Sequence, residues 1–150
     1  MATLLDYRTS IGSMAFGTPG SAMSTSAVTP SYIGSIGLIV GDATNIRVNL
    51  QGQIGVTAVL DPATVTVTIV RNASPDPTVP NGGTTIFTAN YTFDSPTVKN
   101  ITINSADFNP LPGIFTPRQI SYSLFAQNSA GGTIIRTGPE NFEGFAMVDS

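Results

Sequence analysis

Hydrophobic and polar residues alternate one by one along much of the chain, which is the period of a β-strand with one buried face. The clearest run covers residues 63–71, where valine and isoleucine alternate with threonine, and residues 84–93 alternate in the same way. Shorter runs cover residues 46–50, 54–58 and 120–124, and weaker ones cover 33–40, 98–104, 133–137 and 141–148. The pattern therefore predicts roughly eight or nine short strands.

The apolar faces of these runs predict the core of the domain, because alternate residues of a strand point to the same side of a sheet. The predicted core residues are Ile46, Val48, Ile54, Val56, Val65, Val67, Ile69, Phe87, Tyr91, Phe93, Ile120, Tyr122 and Leu124.

Turn-forming residues separate the runs. The Asn-Gly-Gly segment at residues 81–83 and the Ala-Gly-Gly segment at residues 130–132 supply the positive φ that tight hairpin turns need. Residues 74–80 contain three prolines, which favours a loop over a central strand. No run with the helical period is long enough to predict a helix. The expected fold is an all-β, antiparallel two-sheet sandwich; its strand number favours a jelly roll, with an immunoglobulin-like sandwich as the alternative.

The N-terminal part of the chain does not follow this pattern. Residues 2–8 form a short apolar segment, and residues 9–31 are dominated by small and hydroxyl-bearing residues with neither the helical nor the strand period. Such a composition is typical of a flexible linker. We therefore expect an N-terminal connector arm and linker in residues 1–31, followed by a β-sandwich domain in residues 32–150.

The arm carries apolar side chains that a disordered tail does not need: Leu4, Leu5, Tyr7 and Ile11. If the segment is extended, Leu5, Tyr7 and Ile11 share one face. A tethered strand of this kind is suited to pairing with the sheet of another subunit, so we predict that these four residues act in assembly. The alternative is an arm that packs on its own domain.

The composition removes most catalytic chemistry. The 150 residues include no Cys, no His and no Trp, which excludes cysteine nucleophiles, Ser-His-Asp relays and thiolate or imidazole zinc sites. Glu140 and Glu143 point to opposite faces at strand spacing, so we expect two solvated acids ahead of the last strand. Asp94 and Asp107 lack the pattern of a calcium loop. We therefore predict no enzymatic activity, no cofactor and no metal ion.

The charges also limit the partners that can be expected. Only 10% of the residues are charged, and the net charge of −3 includes no block of either sign. Because nucleic-acid binding needs a clustered basic face, no nucleic-acid partner is expected. No stretch approaches the ~20 apolar residues of a membrane span, and the N-terminus lacks the basic leader and apolar run of a Sec-type signal. Neither membrane insertion nor Sec export is therefore expected.

Three segments resemble small spore-surface proteins of Bacillus and related bacteria: the opening Leu-Leu-Asp-Tyr-Arg at residues 4–8, the Gly-Gln-Ile-Gly-Val-Thr at residues 52–57, and the threonine–valine strand at residues 64–71. The chain is similar to exosporium protein C-like sequences and, more distantly, to endospore-appendage pilins. This resemblance implies a jelly roll behind an N-terminal connector, polymerisation through that connector, and a location on the spore surface or exosporium. The pilins carry cysteines in the connector; this chain has none, so its assembly would rest on strand pairing and burial.

Two hypotheses from different classes follow. The first is a structural subunit that polymerises non-covalently into a fibre or layer by donating its arm to a neighbouring copy, with a spore-surface anchoring protein as a further partner. The second is a trimeric β-sandwich binding module, such as a fibre tip or a phage receptor-binding head. Helical, linear and planar assemblies are all compatible with the first hypothesis.

Overall fold

The computed structural model describes residues 1–11, 20–59, 62–94, 96–112 and 118–149. In this part of the chain there are nine β-strands and no helix. The strands are β1 (Ala2–Ile11), β2 (Ser21–Ala22), β3 (Ser31–Ile39), β4 (Ile46–Ala58), β5 (Ala63–Arg71), β6 (Thr84–Phe93), β7 (Thr97–Phe108), β8 (Gln119–Gly131) and β9 (Ile134–Asp149).

The strands form two antiparallel sheets that pack face to face. Sheet I has the order β1-β9-β4-β7, with the short β2 also paired to β9, and sheet II has the order β3-β8-β5-β6. From β3 onward, the chain crosses from one sheet to the other at every connection except that between β5 and β6. The predicted all-β, antiparallel two-sheet sandwich is confirmed, and the strand order is that of a jelly roll rather than of an immunoglobulin-like domain.

The core lies between the two sheets and is built mostly from the predicted apolar faces. All of the predicted core residues are buried except Phe87 and Tyr91 of β6, which are partly exposed and pack against the buried cluster. Phe142 of β9 is also fully buried, although it lay in one of the weaker predicted strands. Gly82 and Gly131 have positive φ in the two predicted glycine turns.

β4 is one continuous strand from Ile46 to Ala58, whereas the sequence pattern predicts two shorter strands in this region. Gly52 lies at its centre on the inner face, and a Cβ built there would lie 2.9 Å from Cδ2 of Leu124 in the opposite sheet. The facing side chain therefore fills the place where the alternation lacks an apolar residue. The pairing of β4 with β7 continues through this position, so the two runs form one strand.

Most of the predicted linker contacts the domain in the structure. Residues 9–11 belong to β1, and β2 pairs with β9. Met23 is buried in the core and donates its backbone N–H to the Ile134 carbonyl at 2.9 Å. Residues 12–19, the remaining part before β2, lie outside the described residues.

Candidate assembly interface

The predicted arm forms the edge strand of sheet I. β1 pairs antiparallel with β9 of its own chain, from Ala2 opposite Asp149 to Ile11 opposite Asn141. Each ladder hydrogen bond of this kind contributes about 0.5–1.5 kcal/mol net. The arm thus has the strand geometry that donation to another sheet would require, and in the structure it closes the sheet of its own domain.

The four predicted assembly residues lie on different sides of β1. Leu5 packs against the buried cluster, whereas Leu4 is 60% exposed and Tyr7 is 51% exposed. The prediction that Leu5 shares a face with Tyr7 is wrong. The pairing register shifts between Leu4 and Asp6, and the extra residue of this β-bulge turns Leu5 inward. Ile11 is placed by its backbone pairing only, because its side chain lies outside the described residues.

Asp6 ties β1 to β3, the edge strand of the other sheet. Its carboxylate accepts the backbone N–H of Ile39 at 2.9 Å, the backbone N–H of Tyr7 at 2.9 Å and the Nε–H of Arg8 at 3.1 Å. Burial alone would raise the pKa of Asp6, but these hydrogen bonds favour the charged form more strongly and hold its pKa below the usual value. Sequence reasoning missed Asp6 because a single acid among apolar residues forms no recognisable pattern.

β1 passes unusually close to β3 at one point. A Cβ built on Gly34 of β3 would lie 2.8 Å from Oγ and 3.3 Å from Cβ of Ser10 in β1, and 3.6 Å from Cβ of Phe142. A residue without a side chain lets the two edge strands approach this closely. β1 therefore seals the edge of the sandwich between β9 and β3.

Tyr7 fixes the outer side of β1. Its hydroxyl donates a hydrogen bond to Oε2 of Glu143 at 2.7 Å. This hydrogen bond to the carboxylate is the main reason that the pKa of Tyr7 is raised above its usual value. Glu143, one of the two acids predicted to be solvated, thus helps to hold β1 in place.

The other acid has a different environment from the one predicted. Glu140 and Glu143 do face opposite sides of the strand, but Glu140 is 1% exposed rather than solvated, and both lie inside β9. The Nε and Nη2 groups of Arg136 each donate to one carboxylate oxygen of Glu140 at 2.7 Å. Both oxygens of Glu140 are thus engaged in a buried ion pair.

Asp107, considered as a calcium ligand, is engaged in a second polar cluster that links the sheets. Its Oδ2 atom accepts hydrogen bonds from Arg71 at 2.7 Å and from the hydroxyl of Tyr122 at 3.0 Å. Burial, reinforced by the Asp107 charge, raises the pKa of Tyr122. Among the described residues, no group of three or more His, Cys, Asp or Glu side chains is placed to hold a metal ion. The same residues include no helix that is long and apolar enough to cross a membrane.

Two cross-strand rows on the outer face of sheet I, here called the apolar rows, carry large exposed side chains. The first row is Leu4, Met147, Arg47 and Phe108, and the second is Tyr7, Phe145, Asn49 and Ala106. Phe108 is 68% exposed and stands at the opposite edge of the sheet from Leu4 and Tyr7. Sequence reasoning missed Phe108 because the predicted strand ended at residue 104, whereas β7 continues to residue 108.

No family model matches the chain, and no curated protein matches it either. Among solved structures, the chain is similar to a chain of the T13 IBDV viral particle, with 13% identity and a TM-score of 0.51 over 95% of this chain and 31% of the viral chain. It is also similar to the Eiger TNF from S. frugiperda, with 12% identity and a TM-score of 0.50 over 96% of this chain and 94% of the TNF chain.

This chain therefore spans about a third of the length of the viral chain and nearly the whole length of the TNF chain. At such low identities the similarity establishes the fold alone, which is the jelly-roll sandwich described above.

Proposed function

We propose that this protein is a structural subunit that assembles with copies of itself into a non-covalent fibre or layer, and that β1 is the connector exchanged between neighbours. The observation that carries this proposal is the position of β1. It is an edge strand, and the contacts described above join it to β9, to β3 and, through Leu5, to the buried cluster.

Exchange would preserve these contacts. A neighbour's β1 would make the same ladder with β9, the same packing through Leu5 and the same hydrogen bond from Ile39 to Asp6. The contacts are the same within one chain and between two chains. The equilibrium between β1 paired with its own chain and β1 donated to a neighbour therefore depends on the protein concentration and on the segment that connects β1 to β2. Exchange of an identical element is a low-cost route to assembly.

The length of that segment limits how far the neighbour can be. Because β2 pairs with β9, the reach of β1 is limited by the length of chain between Ile11 and Gly20, which spans at most about 30 Å. Along β9, the residues opposite Ile11 and Ser21 are Asn141 and Arg136, which pair with Gln53 and Val56 of β4 and so lie only roughly 10 Å apart. Exchange therefore requires subunits whose edges abut, as in a closely packed fibre or layer.

The type of contact favours a polymer over a closed particle. One subunit would contribute the strand and the next would contribute the β9–β3 edge, so the interface is heterologous and generates open assemblies unless the rotation closes. We propose the spore surface as the location, supported by the resemblance of the sequence, with copies of this chain as the main partner and a spore-surface anchoring protein as a second. A structural rather than catalytic role is supported by the lack of His and Cys.

Removal of the arm tests the proposal. A variant lacking residues 1–12 should fold into a monomer that forms no filaments in negative-stain images and sediments as one species lighter than the 15.6 kDa full chain, because the connector is gone. Val28→Ser provides a matched control, since Val28 is 73% exposed and lies away from β1. Filaments from the truncated protein would contradict the proposal.

A compact oligomeric binding module is the second candidate. The observation that favours it is the similarity to the Eiger TNF, which covers nearly the whole of both chains. The same micrographs distinguish the two functions, because a binding module would give discrete trimeric particles where a structural subunit gives filaments or sheets.

A further inference from the structure

We propose that the outer face of sheet I binds the same face of a second copy of this chain about a two-fold axis. This contact goes beyond strand exchange. β1 occupies the same place in the face whether it comes from its own chain or from a neighbour, so the surface does not depend on the origin of that strand.

Three large apolar side chains are exposed on the outer face of sheet I. Phe108, Leu4 and Tyr7 are 68%, 60% and 51% exposed. An aromatic side chain buries about 150–250 Å² when it is covered, so Phe108 and Tyr7 alone leave on the order of 200 Å² available. Large apolar side chains exposed together on one face are typical of interaction sites on soluble proteins.

The few charges on this face are already paired within the chain. Arg47 lies in the first apolar row and its Nη2 donates to Asp149 at 2.6 Å, and Glu143 accepts the hydroxyl of Tyr7. The remaining outward positions of β4 and β7 in adjacent rows are amides and threonines, such as Gln51, Gln53 and Thr102. Depletion of free charge is the compositional property that distinguishes the centre of a protein interface.

A two-fold axis along the strands between β9 and β4 brings the apolar rows of the two copies together. It places β1 of one copy opposite β7 of the other, at the same height. Leu4 then faces Phe108, and Met147 faces the aliphatic stem of Arg47. In the second row Tyr7 faces Ala106 and Phe145 faces Asn49, and no like charges are opposed.

A two-fold axis perpendicular to the strands also opposes apolar side chains when it passes between the two rows. It places Leu4 opposite Tyr7 and Met147 opposite Phe145. Either axis therefore buries the apolar rows of both copies at the centre of the contact.

The available area is close to what a stable pair requires. Four strands spaced about 4.8 Å apart, and about 12 residues long at ~3.4 Å each, give a footprint of about 750 Å² per subunit. A standard stable interface buries about 800 Å² per partner. If strand exchange also operates, as proposed above, this closed contact would join subunits of the open polymer in pairs.

Two substitutions on the face and one away from it test the inference in the full chain. Sedimentation velocity at micromolar concentration should show a dimer of the 15.6 kDa chain. Phe108→Glu and Phe145→Glu should each raise the dimer dissociation constant by at least about tenfold, because each places a charge within the apolar rows. Leu111→Glu should leave the dimer intact; Leu111 is 76% exposed, but its carbonyl accepts a hydrogen bond from Asn72 next to sheet II.

Circular dichroism and thermal melting should show that the variants fold like the parent. If either Phe108→Glu or Phe145→Glu does not fold, the dissociation constant of the other variant tests the inference. A monomeric parent, a trimer as the smallest associated species, or a dimer that survives Phe145→Glu would overturn the two-fold face. The test is separate from that of strand exchange. Filaments that keep their width in Phe108→Glu but disappear on deletion of the arm would support exchange and overturn this contact, and dimers that never extend but separate in Phe108→Glu would do the reverse.

Discussion

At the scale of single residues, the alternation predicts which side of a strand is buried, but it does not predict where a charge is buried. Glu140 has the same parity along β9 as the fully buried Phe142, so its inward position followed from the pattern. It was nevertheless expected to be solvated because acids are rarely buried unless they are paired. Its partner Arg136 lies four residues earlier, and the register shift between these two residues of β9, where it pairs with β4, has no periodic signal in the sequence.

Glu140→Gln should lower the free energy of unfolding by about 3–5 kcal/mol, because it leaves the largely buried guanidinium of Arg136 without a counter-charge. Urea denaturation measures this change. Glu143→Gln in the same strand is the matched control and should have a much smaller effect, because Glu143 is partly exposed. Equal losses for the two variants would show that the buried ion pair contributes no more than a surface acid.

Asp6→Asn should weaken the attachment of β1 in a pH-dependent way. Because the pKa of Asp6 is lower in the folded protein than its unfolded value of ~3.9, its carboxylate stabilises the fold above that value, and this contribution is lost as the pH falls through the folded pKa. The stability difference between the parent and Asp6→Asn should therefore be largest near neutral pH and shrink towards pH 2.5 in chemical denaturation. A difference that stays constant with pH would contradict this assignment.

At the scale of elements, the existence of the strands was predictable, but their lengths and partners were not. Residues 63–71 alternate without interruption and form β5 with the predicted bounds. β4 was predicted as two runs because Gly52 interrupts the apolar face, and only the opposite sheet shows that Leu124 fills the gap. Strand order depends on contacts between residues far apart in the sequence, and such contacts leave no local period. The bulge in β1 was hidden for the same reason.

Gly34→Ala should loosen the attachment of β1 without unfolding the sandwich. The added Cβ would lie 2.8 Å from Oγ and 3.3 Å from Cβ of Ser10, so the Ser10 hydroxyl must rotate and the edge strand must shift slightly outward. Hydrogen exchange should be faster for the amides of β1 and unchanged for those of β5. Ser10→Gly in the same chain removes the clash and should restore protection of β1. Equal loss of protection in every strand would indicate a general packing defect instead.

At the scale of the whole molecule, the sequence predicted a β-sandwich with an N-terminal segment suited to strand pairing. It left open whether this segment would close the sheet of its own domain or pair with a neighbour, because a pattern of apolar residues does not distinguish one copy of a sheet from another. The apolar rows were equally hidden, since they bring together four strands that are distant in the sequence.

The core should tolerate no charge at its centre. Val67 has no exposed surface, so Val67→Asp would bury a carboxylate without a partner and should prevent folding, as seen by loss of the cooperative unfolding transition. Thr88→Asp, at the exposed position opposite Thr68 in the neighbouring strand, should fold and unfold like the parent. A Val67→Asp variant that melts like the parent would contradict the assigned register of β5.

Disulfide trapping tests strand exchange most directly, because the chain has no cysteine of its own. Thr9 of β1 lies directly opposite Glu143 of β9, a placement that suits a disulfide between two introduced cysteines. In assembled Thr9→Cys/Glu143→Cys protein, oxidised and run on a non-reducing gel, exchange of β1 predicts a ladder of covalently linked subunits. Each single cysteine variant should give no ladder. A monomer band alone from the assembled double variant, with its disulfide inside one chain, would contradict the account.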